Sequence, residues 1–222
     1  MVSATLFNTH KLARDAFLDD IRANKTIKFV MNNRITPQTQ SGSATSMNIA
    51  DARKLTSGNV TVIGTVTTVN GNNVFIQDNT AGICVYNSSA KADVKKGDKI
   101  QVTGPVSVYN NLLEITPKSA SDVSTISTGN TVTPKVVNIS DVNESLEGQL
   151  IQINNASLQS YDASSDSMIQ DSTGSVSMYK APTLTGINVG DKINVVAAVS
   201  QYGSKFELIV GQASDVNKVS NG

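Results

Sequence analysis

Short stretches of alternating apolar and polar residues, separated by turn-forming residues, occupy most of the chain after residue 47. The segment VTVIGTVTTV at 60–69 is rich in β-branched residues and is followed by the turn sequence NGNN, then VFIQD, a tight turn at 79–82, and ICVYN. Farther on, VKKGDKIQVTGPVSVY leads into a turn at 110–111 and then LLEIT. About five short strands with Gly and Asn turns predict an all-β barrel or sandwich.

The same pattern occurs twice. MIQDSTGSVSMY at 168–179 matches FIQDNTAGICVY at 75–86, so each residue has a counterpart 93 positions later. The GDKI motif keeps this offset, with Gly97 matching Gly190. An insertion confined to one loop, near SYDASSDS of the second copy, is typical of duplicated β domains.

The motif order in each copy resembles the bacterial OB-fold-like domain: F/M-I-Q-D-x-T, a strand ending in Tyr, G-D-K-I, V-S-x-Y and S-D-V. That domain occurs, often in tandem, in secreted nucleases, nucleotidases and surface proteins, where a separate domain carries the chemistry. The resemblance covers about 47–219 and implies a closed five-stranded Greek-key barrel in each copy. It also implies an accessory binding or architectural module rather than a catalytic one.

The predicted fold is therefore all-β, with two tandem OB-like five-stranded β-barrels preceded by a short helix–strand N-terminal arm. We expect the arm and its linker at 1–46, the first barrel at 47–127, a connector at 128–136 and the second barrel at 137–219.

The N-terminal arm matches neither copy. Apolar residues on one face predict a helix over 9–24, and TIKFVMN alternates as a strand does. The arm either packs on the first barrel of its own chain or adds as a strand to another chain. The second alternative is slightly favoured, because a flexible linker separates the arm from the barrel. The candidate docking residues are Leu12, Phe17, Ile21, Ile27, Phe29 and Met31.

Composition limits the partners. The chain has 18 Lys plus Arg and 18 Asp plus Glu, so its net charge is zero, whereas phosphate-binding proteins usually carry a basic excess. Aromatic residues make up 5% and Trp is absent, which leaves few platforms for stacked bases. Nucleic acid is therefore not expected as a partner. The expected partners are proteins in a larger assembly, and a homo-oligomer is one form that this assembly could take.

No catalytic or metal site is evident in the sequence, and no cofactor is expected. His10 is the only His, and Cys84, the only Cys, is expected to be buried in a strand. Asp78 and Asp171 are interpreted as turn residues. A glycosidase needs two acids that flank one cleft, whereas Glu114 and Glu207 recur once per domain at fixed positions of the fold.

Four tyrosines are candidates for a ligand face. Tyr86 and Tyr179 end strands, while Tyr109 and Tyr202 precede polar turns. Exposed aromatics on strands 2 and 3 of an OB-fold stack against bases or sugars. The alternative, which the low aromatic content favours, is an ordinary core or rim position.

The function predicted from the sequence is a non-catalytic structural or interaction protein, anchored by its arm. We expect a virion component, such as a phage decoration, fibre or tail-associated protein, or an extracellular surface assembly. The chain contains neither the apolar core of a signal peptide nor a run long enough to span a membrane. The alternative is a single-stranded nucleic-acid or carbohydrate binding module, accessory to a separate enzyme.

Overall fold

The computed structural model describes residues 46–220, which form one short α-helix, thirteen strands and four single-turn 3-10 helices. The first half contains α1 (Ile49–Ala52), β1 (Asn59–Asn70), β2 (Asn73–Gln77), β3 (Gly82–Tyr86), β4 (Lys99–Tyr109), β5 (Leu112–Ile115) and β6 (Val123–Ser127). The second half contains β7 (Lys135–Val136), β8 (Leu150–Ser160), β9 (Asp166–Gln170), β10 (Ser175–Tyr179), β11 (Lys192–Tyr202), β12 (Lys205–Ile209) and β13 (Val216–Lys218).

Each half closes into a five-stranded barrel of the same topology. In barrel 1, formed by β1–β5, the order is β1-β2-β3-β5-β4, and β4 pairs with β1 to complete the ring. In barrel 2, formed by β8–β12, the order is β8-β9-β10-β12-β11, and β11 pairs with β8. Only β3–β5 and its counterpart β10–β12 are parallel among these pairs. The prediction of two OB-like barrels is confirmed.

Alternation along the strands builds a separate core in each barrel. In β4, every second residue from Ile100 to Val106 is buried, and the alternate positions 101, 103 and 105 are partly exposed. The same periodicity in β11 buries Ile193 and Val195. Because successive side chains of a strand point to opposite faces, one face of each strand fills its barrel and the other faces outward.

The turns form where the sequence predicts them. Gly97 and Gly190 adopt φ of 92° and 94°, a backbone conformation that favours glycine. Asn110 and Asn111 both have positive φ, 48° and 70°, as a two-residue type I′ hairpin turn requires. These turns fix the register of the strands that they join.

The two repeated aspartates hold turns, as the sequence indicates. The Asp78 carboxylate accepts hydrogen bonds from the backbone N–H of Ile49, Thr80 and Ala81, at 2.7–3.0 Å. It thereby joins α1 to the β2–β3 turn. Asp171 accepts the corresponding bonds in barrel 2.

Segments outside the rings extend the sheets. β6 pairs with β4, and β13 pairs with β11. β7 lies within the segment predicted to be a connector and pairs in parallel with β8. The connector also contacts barrel 1, because Asn130 donates a 2.9 Å hydrogen bond to the Gly97 carbonyl.

The predicted N-terminal arm lies outside the described residues, and so do all six of its candidate docking residues. Within 46–220, no helix combines the length and the apolar character needed to cross a bilayer.

Candidate ligand-binding groove between the barrels

The two barrels pack against each other through a small apolar cluster of their own. It combines Phe75, Cys84 and Leu112 of barrel 1 with Ala198 and Ile209 of barrel 2, each at most 4% exposed. Cys84 is buried, as the sequence predicts. Since the cluster is separate from both barrel cores, it is formed by outward-facing side chains of the two barrels.

Burial of β2 on both of its faces explains why the sequence contains the unbroken apolar run VFI. Val74 and Ile76 point into the core of barrel 1, and Phe75 points out of the barrel into the inter-barrel cluster. A strand buried on both faces loses its alternation. The sequence analysis did not single out Phe75. A signal was available in the sequence, however: the first copy has the unbroken apolar run VFI at 74–76, whereas the second copy has Ser167 before Met168.

A buried ion pair also joins the barrels. The Arg53 guanidinium lies 3.0 Å from Oε1 of Glu147, whose side chain is fully buried. The same oxygen accepts a bond from the Leu113 backbone N–H at 3.3 Å. Burial raises the pKa of Glu147, and the charge of Arg53 opposes that rise. Removal of either partner would leave the other charge without compensation in the interface, so the contact between the barrels is sensitive to the loss of either residue.

The backbones of the two barrels meet at a pair of glycines. A Cβ on Gly82 would lie 2.1 Å from the carbonyl oxygen of Gly148, and one on Gly148 would lie 2.4 Å from the carbonyl carbon of Gly82. Nearby, the Gln77 side chain accepts a 2.8 Å bond from the Leu150 N–H. The absence of a side chain at both glycines is thus what permits the close approach.

A groove of about 680 Å³ opens beside this interface. Barrel 1 contributes Asn73, Tyr86, Tyr109, Leu112 and Glu114. The residues 93 positions later line the groove from barrel 2, namely Asp166, Tyr179, Tyr202, Lys205 and Glu207. The repeat therefore supplies both walls of the groove from the same positions of the fold.

The two exposed tyrosines of the groove stand at the tips of equivalent hairpins. Tyr109 precedes the β4–β5 turn and Tyr202 the β11–β12 turn, and they are 61% and 57% exposed. Their rings meet edge to face, with centroids 6.5 Å apart. The tips are tied by a 2.7 Å bond from the Gly203 N–H to the Asn110 carbonyl. These contacts hold the two rings in place without burying them.

The other two tyrosines lie at the ends of β3 and β10. Tyr86 is 39% exposed, and Tyr179 is partly buried against the inter-barrel cluster. The ammonium of Lys180 lies 5.1 Å from the centre of the Tyr179 ring, within the range of a cation–π contact. All four tyrosines considered as ligand-face candidates thus line one groove.

The groove also brings together the repeated glutamates, which the sequence analysis had assigned to separate domain positions. Glu114 on β5 and Glu207 on β12 are 6% and 9% exposed, and both line the groove. Burial raises the pKa of both carboxyls. Two acids from different barrels converge because the barrels pack through the faces that carry these positions, which no local pattern could reveal.

The glutamates have few hydrogen-bond donors. Among residues 46–220, the Ser107 hydroxyl is the only hydrogen-bond donor to Glu114, at 3.5 Å, and Glu207 has none. Asp166 raises the pKa of Glu207 and Lys205 lowers it, and these two residues form an exposed ion pair at 3.4 Å. Both carboxylates line the groove, and neither has an enclosed oxygen without a partner, so the acceptor capacity that the fold leaves unused faces the groove and is available to a ligand.

The described residues contain no cluster of three or more His, Cys, Asp or Glu side chains suited to a metal ion. The groove itself presents flat aromatic faces beside hydrogen-bond acceptors.

No protein-family model and no curated protein sequence matches the chain. Among solved structures, it is similar to a murine DNA binding protein bound with double-stranded DNA, at 19% identity over 73% of this chain and 97% of that chain, with a TM-score of 0.38. It is also similar to the p204 HINb domain, at 13% identity over 73% and 97%, with a TM-score of 0.37. The hypothetical protein ygiW from E. coli has 19% identity over 38% of this chain and 92% of that chain, with a TM-score of 0.32.

The expectation that nucleic acid is not a partner is corrected by these structures, because one of them is a protein bound to DNA. Net charge was an insufficient basis for that expectation. Net charge is an average over the whole chain, whereas binding depends on the groups that share one face. Similarities at this level assign no ligand to the chain, so the ligand has to be argued from the groove.

Proposed function

We propose that the chain is a non-catalytic binding module that holds an extended ligand in the groove between its two barrels. The two ligand classes are those of the sequence-based alternative, single-stranded nucleic acid and carbohydrate. The observation that carries the proposal is the convergence of Tyr86, Tyr109, Tyr179 and Tyr202 on one groove.

The position of the groove supports this proposal. OB-folds bind oligonucleotides and oligosaccharides on the face of strands 2 and 3 and on the loops that join strands 1 to 2 and 4 to 5. Tyr86 ends the third strand of barrel 1, Asn73 follows the 1–2 loop, and Tyr109 opens the 4–5 loop. The groove therefore lies at the ligand-binding position of both barrels at once.

Exposure of the rings supports it as well. Tyr161, by contrast, serves the fold: its ring packs partly buried against the core of barrel 2, and its hydroxyl donates to the Pro182 carbonyl at 3.0 Å. Tyr109 and Tyr202 instead keep more than half of their surface in water, in fixed positions. Aromatic rings held open and rigid lose little entropy when a flat ligand stacks on them.

The test is binding of two probes, neutral oligosaccharides and a single-stranded oligothymidylate, by titration calorimetry. Tyr109→Ala and Tyr202→Ala should each weaken the binding probe about tenfold, because each removes one stacking face. Val136→Ala and Val189→Ala are matched controls, since these residues are 61% and 60% exposed and lie outside the groove. Binding of neither probe, or equal losses in tyrosine and valine variants, would overturn the proposal.

The non-catalytic part of the proposal has its own test. Glu114 and Glu207 are the paired acids that a hydrolase would use in such a groove. Incubation of a bound oligosaccharide with the protein should leave it uncleaved. Cleavage that Glu114→Gln abolishes would show that the module is an enzyme.

The role in a virion or an extracellular surface assembly stays a prediction, as does kinship with the bacterial accessory domains. Both rest on the sequence, and the docking residues proposed for the arm lie outside the described part. Deletion of residues 1–34 tests the docking role: the truncated protein should lose the assembly that the full chain forms. A full chain that is a monodisperse monomer would contradict it.

A further inference from the structure

Resting on the proposed function, we infer that the ligand is a neutral, hydroxyl-rich carbohydrate chain that occupies two equivalent half-sites, one in each barrel. Each half-site contains two tyrosines and one glutamate from matching positions of the repeat: Tyr86, Tyr109 and Glu114 in barrel 1, and Tyr179, Tyr202 and Glu207 in barrel 2.

The carboxylates determine the ligand chemistry. An ionised carboxylate only accepts hydrogen bonds, and sugar hydroxyls are donors. Glu114 has one long bond and Glu207 none among the described residues, so each has acceptor capacity that hydroxyl groups can satisfy. A phosphate group also only accepts hydrogen bonds, so sugar hydroxyls complement the two glutamates better than a phosphate does.

The remaining charges of the groove do not reverse this preference. Lys205 is the one cation among the residues that line it, and its ammonium lies 3.4 Å from Asp166. The lining thus carries three carboxylates against one ammonium. Lys180 adds a second ammonium beside the groove, 5.1 Å from the centre of the Tyr179 ring. Two separate cations beside three carboxylates favour a ligand that donates hydrogen bonds over one that binds through clustered cations.

The tyrosines supply the complementary contact. A sugar ring has apolar C–H faces that pack on an aromatic ring while its hydroxyls point sideways to acceptors. In each half-site the glutamate lies on the strand beside the one that ends in tyrosine: Cys84 of β3 pairs with Glu114, and Ser177 of β10 pairs with Glu207. Ring and acceptor are therefore adjacent in both barrels.

Two half-sites predict a dependence on ligand length. The barrels are fixed relative to each other by the buried Arg53–Glu147 pair and the inter-barrel cluster. A chain that reaches both half-sites makes the second contact at high effective concentration, so its affinity rises without any new kind of contact. A ligand that fills one half-site gains none of this.

The experiment compares a disaccharide, a hexasaccharide of the same neutral glycan and an oligothymidylate on the full chain by titration calorimetry. We use β-1,4-linked glucose and N-acetylglucosamine chains as probes. The hexasaccharide should bind at least about tenfold more tightly than the disaccharide. Glu114→Gln and Glu207→Gln should each weaken hexasaccharide binding, and Asp93→Asn, outside the groove, should not.

The outcomes separate the inference from the proposed function. Oligothymidylate binding that the tyrosine variants weaken, without oligosaccharide binding, overturns the carbohydrate inference and leaves the binding module standing. Equal affinity for disaccharide and hexasaccharide overturns the two half-sites. Binding of no probe overturns both. Circular dichroism spectra of the glutamate variants show whether a loss reflects the groove or the fold.

Discussion

Replacement of Gly82 by alanine should force the two barrels apart. The added methyl would lie 2.1 Å from the carbonyl oxygen and 2.2 Å from the carbonyl carbon of Gly148, and 2.6 Å from the amide nitrogen of Gln149. All three are backbone atoms, so no rotamer change relieves the clash. Gly82 does not have a positive φ, and the cost of the substitution is therefore steric rather than conformational.

The structure bounds the magnitude of this effect. Overpacking by a methyl group typically costs about 1–3 kcal/mol. Full separation would also expose Phe75, Leu112 and Ile209, at about 2 kcal/mol each, or about 6 kcal/mol in total. We expect the free energy of unfolding of Gly82→Ala to fall by about 3 kcal/mol, since rigid backbone leaves little room for local adjustment.

Cys84 provides a direct assay of the separation. Its thiol is fully buried in the inter-barrel cluster, and burial, with the charges of Glu114 and Glu147, raises its pKa well above the usual value. Reaction with a disulfide reagent therefore requires opening of the interface. If the free energy of opening the interface falls by about 3 kcal/mol, Cys84 should react roughly a hundredfold faster, because each 1.4 kcal/mol changes the open population about tenfold.

The second copy provides the control. Gly174 is the counterpart of Ala81, so Gly174→Ala gives barrel 2 the residue that barrel 1 has at this position. Its Cβ would meet only a methyl of Ile139 at 3.4 Å, and we expect stability to stay equal or rise by about 0.4–1 kcal/mol. Urea unfolding followed by circular dichroism measures both variants. If Gly82→Ala matches Gly174→Ala in stability and in Cys84 reactivity, the backbones do not meet as described.

Three further predictions concern charged groups. Arg53→Met should lower the free energy of unfolding by about 3–5 kcal/mol in urea titrations, because it leaves the buried Glu147 without its partner. Asp171→Ala should cost about 1–3 kcal/mol at neutral pH. Burial acts to raise the pKa of Asp171, but hydrogen bonds from Thr173, Ile139 and Gly174 outweigh it and hold this pKa low. The stability that Asp171 contributes is therefore present above the carboxyl's unfolded-state pKa and is lost as pH falls through the lowered one. For Glu207 the sign is opposite, because burial and then Asp166 raise its pKa, and Lys205 partly offsets that rise. The stability that Glu207 contributes is therefore complete below the carboxyl's unfolded-state pKa and is lost as pH rises through the raised pKa. Glu207→Gln should thus be more stable than wild type at neutral pH and equal to it in acid, as thermal melts across pH would show.

Each of these predictions has a control and a contrary outcome. Lys54→Met removes an exposed ion pair with Asp51 and should change the free energy of unfolding by less than about 1 kcal/mol. If Arg53→Met and Lys54→Met lower stability equally, burial of Glu147 does not make the Arg53–Glu147 pair more important than an exposed pair. Asp93→Ala, an acid outside the turns, should not reproduce the acid sensitivity of Asp171. A Glu207→Gln variant that is less stable at neutral pH would mean that the carboxylate has partners in the folded protein.

The fold was predictable from the sequence because its determinants are local or repeated. Alternation in β4 and β11, paired asparagines at 110–111 and glycines at 97 and 190 specify strands and turns through backbone sterics alone. The constant offset of 93 residues indicated that both halves would fold into barrels of the same topology. Asp78 and Asp171 were also interpretable, because a turn aspartate bonds to nearby backbone.

Only the tertiary structure decided how the barrels meet, and with that the groove. Alternation shows on which face of its strand each of Phe75, Tyr86 and Glu114 lies. It does not show what covers the outer face of a closed barrel. That depends on shape complementarity between residues far apart in the chain, such as Gly82 with Gly148 and Arg53 with Glu147. Each copy carries two of the four tyrosines and one of the two glutamates, and packing of the two copies is what makes them one site.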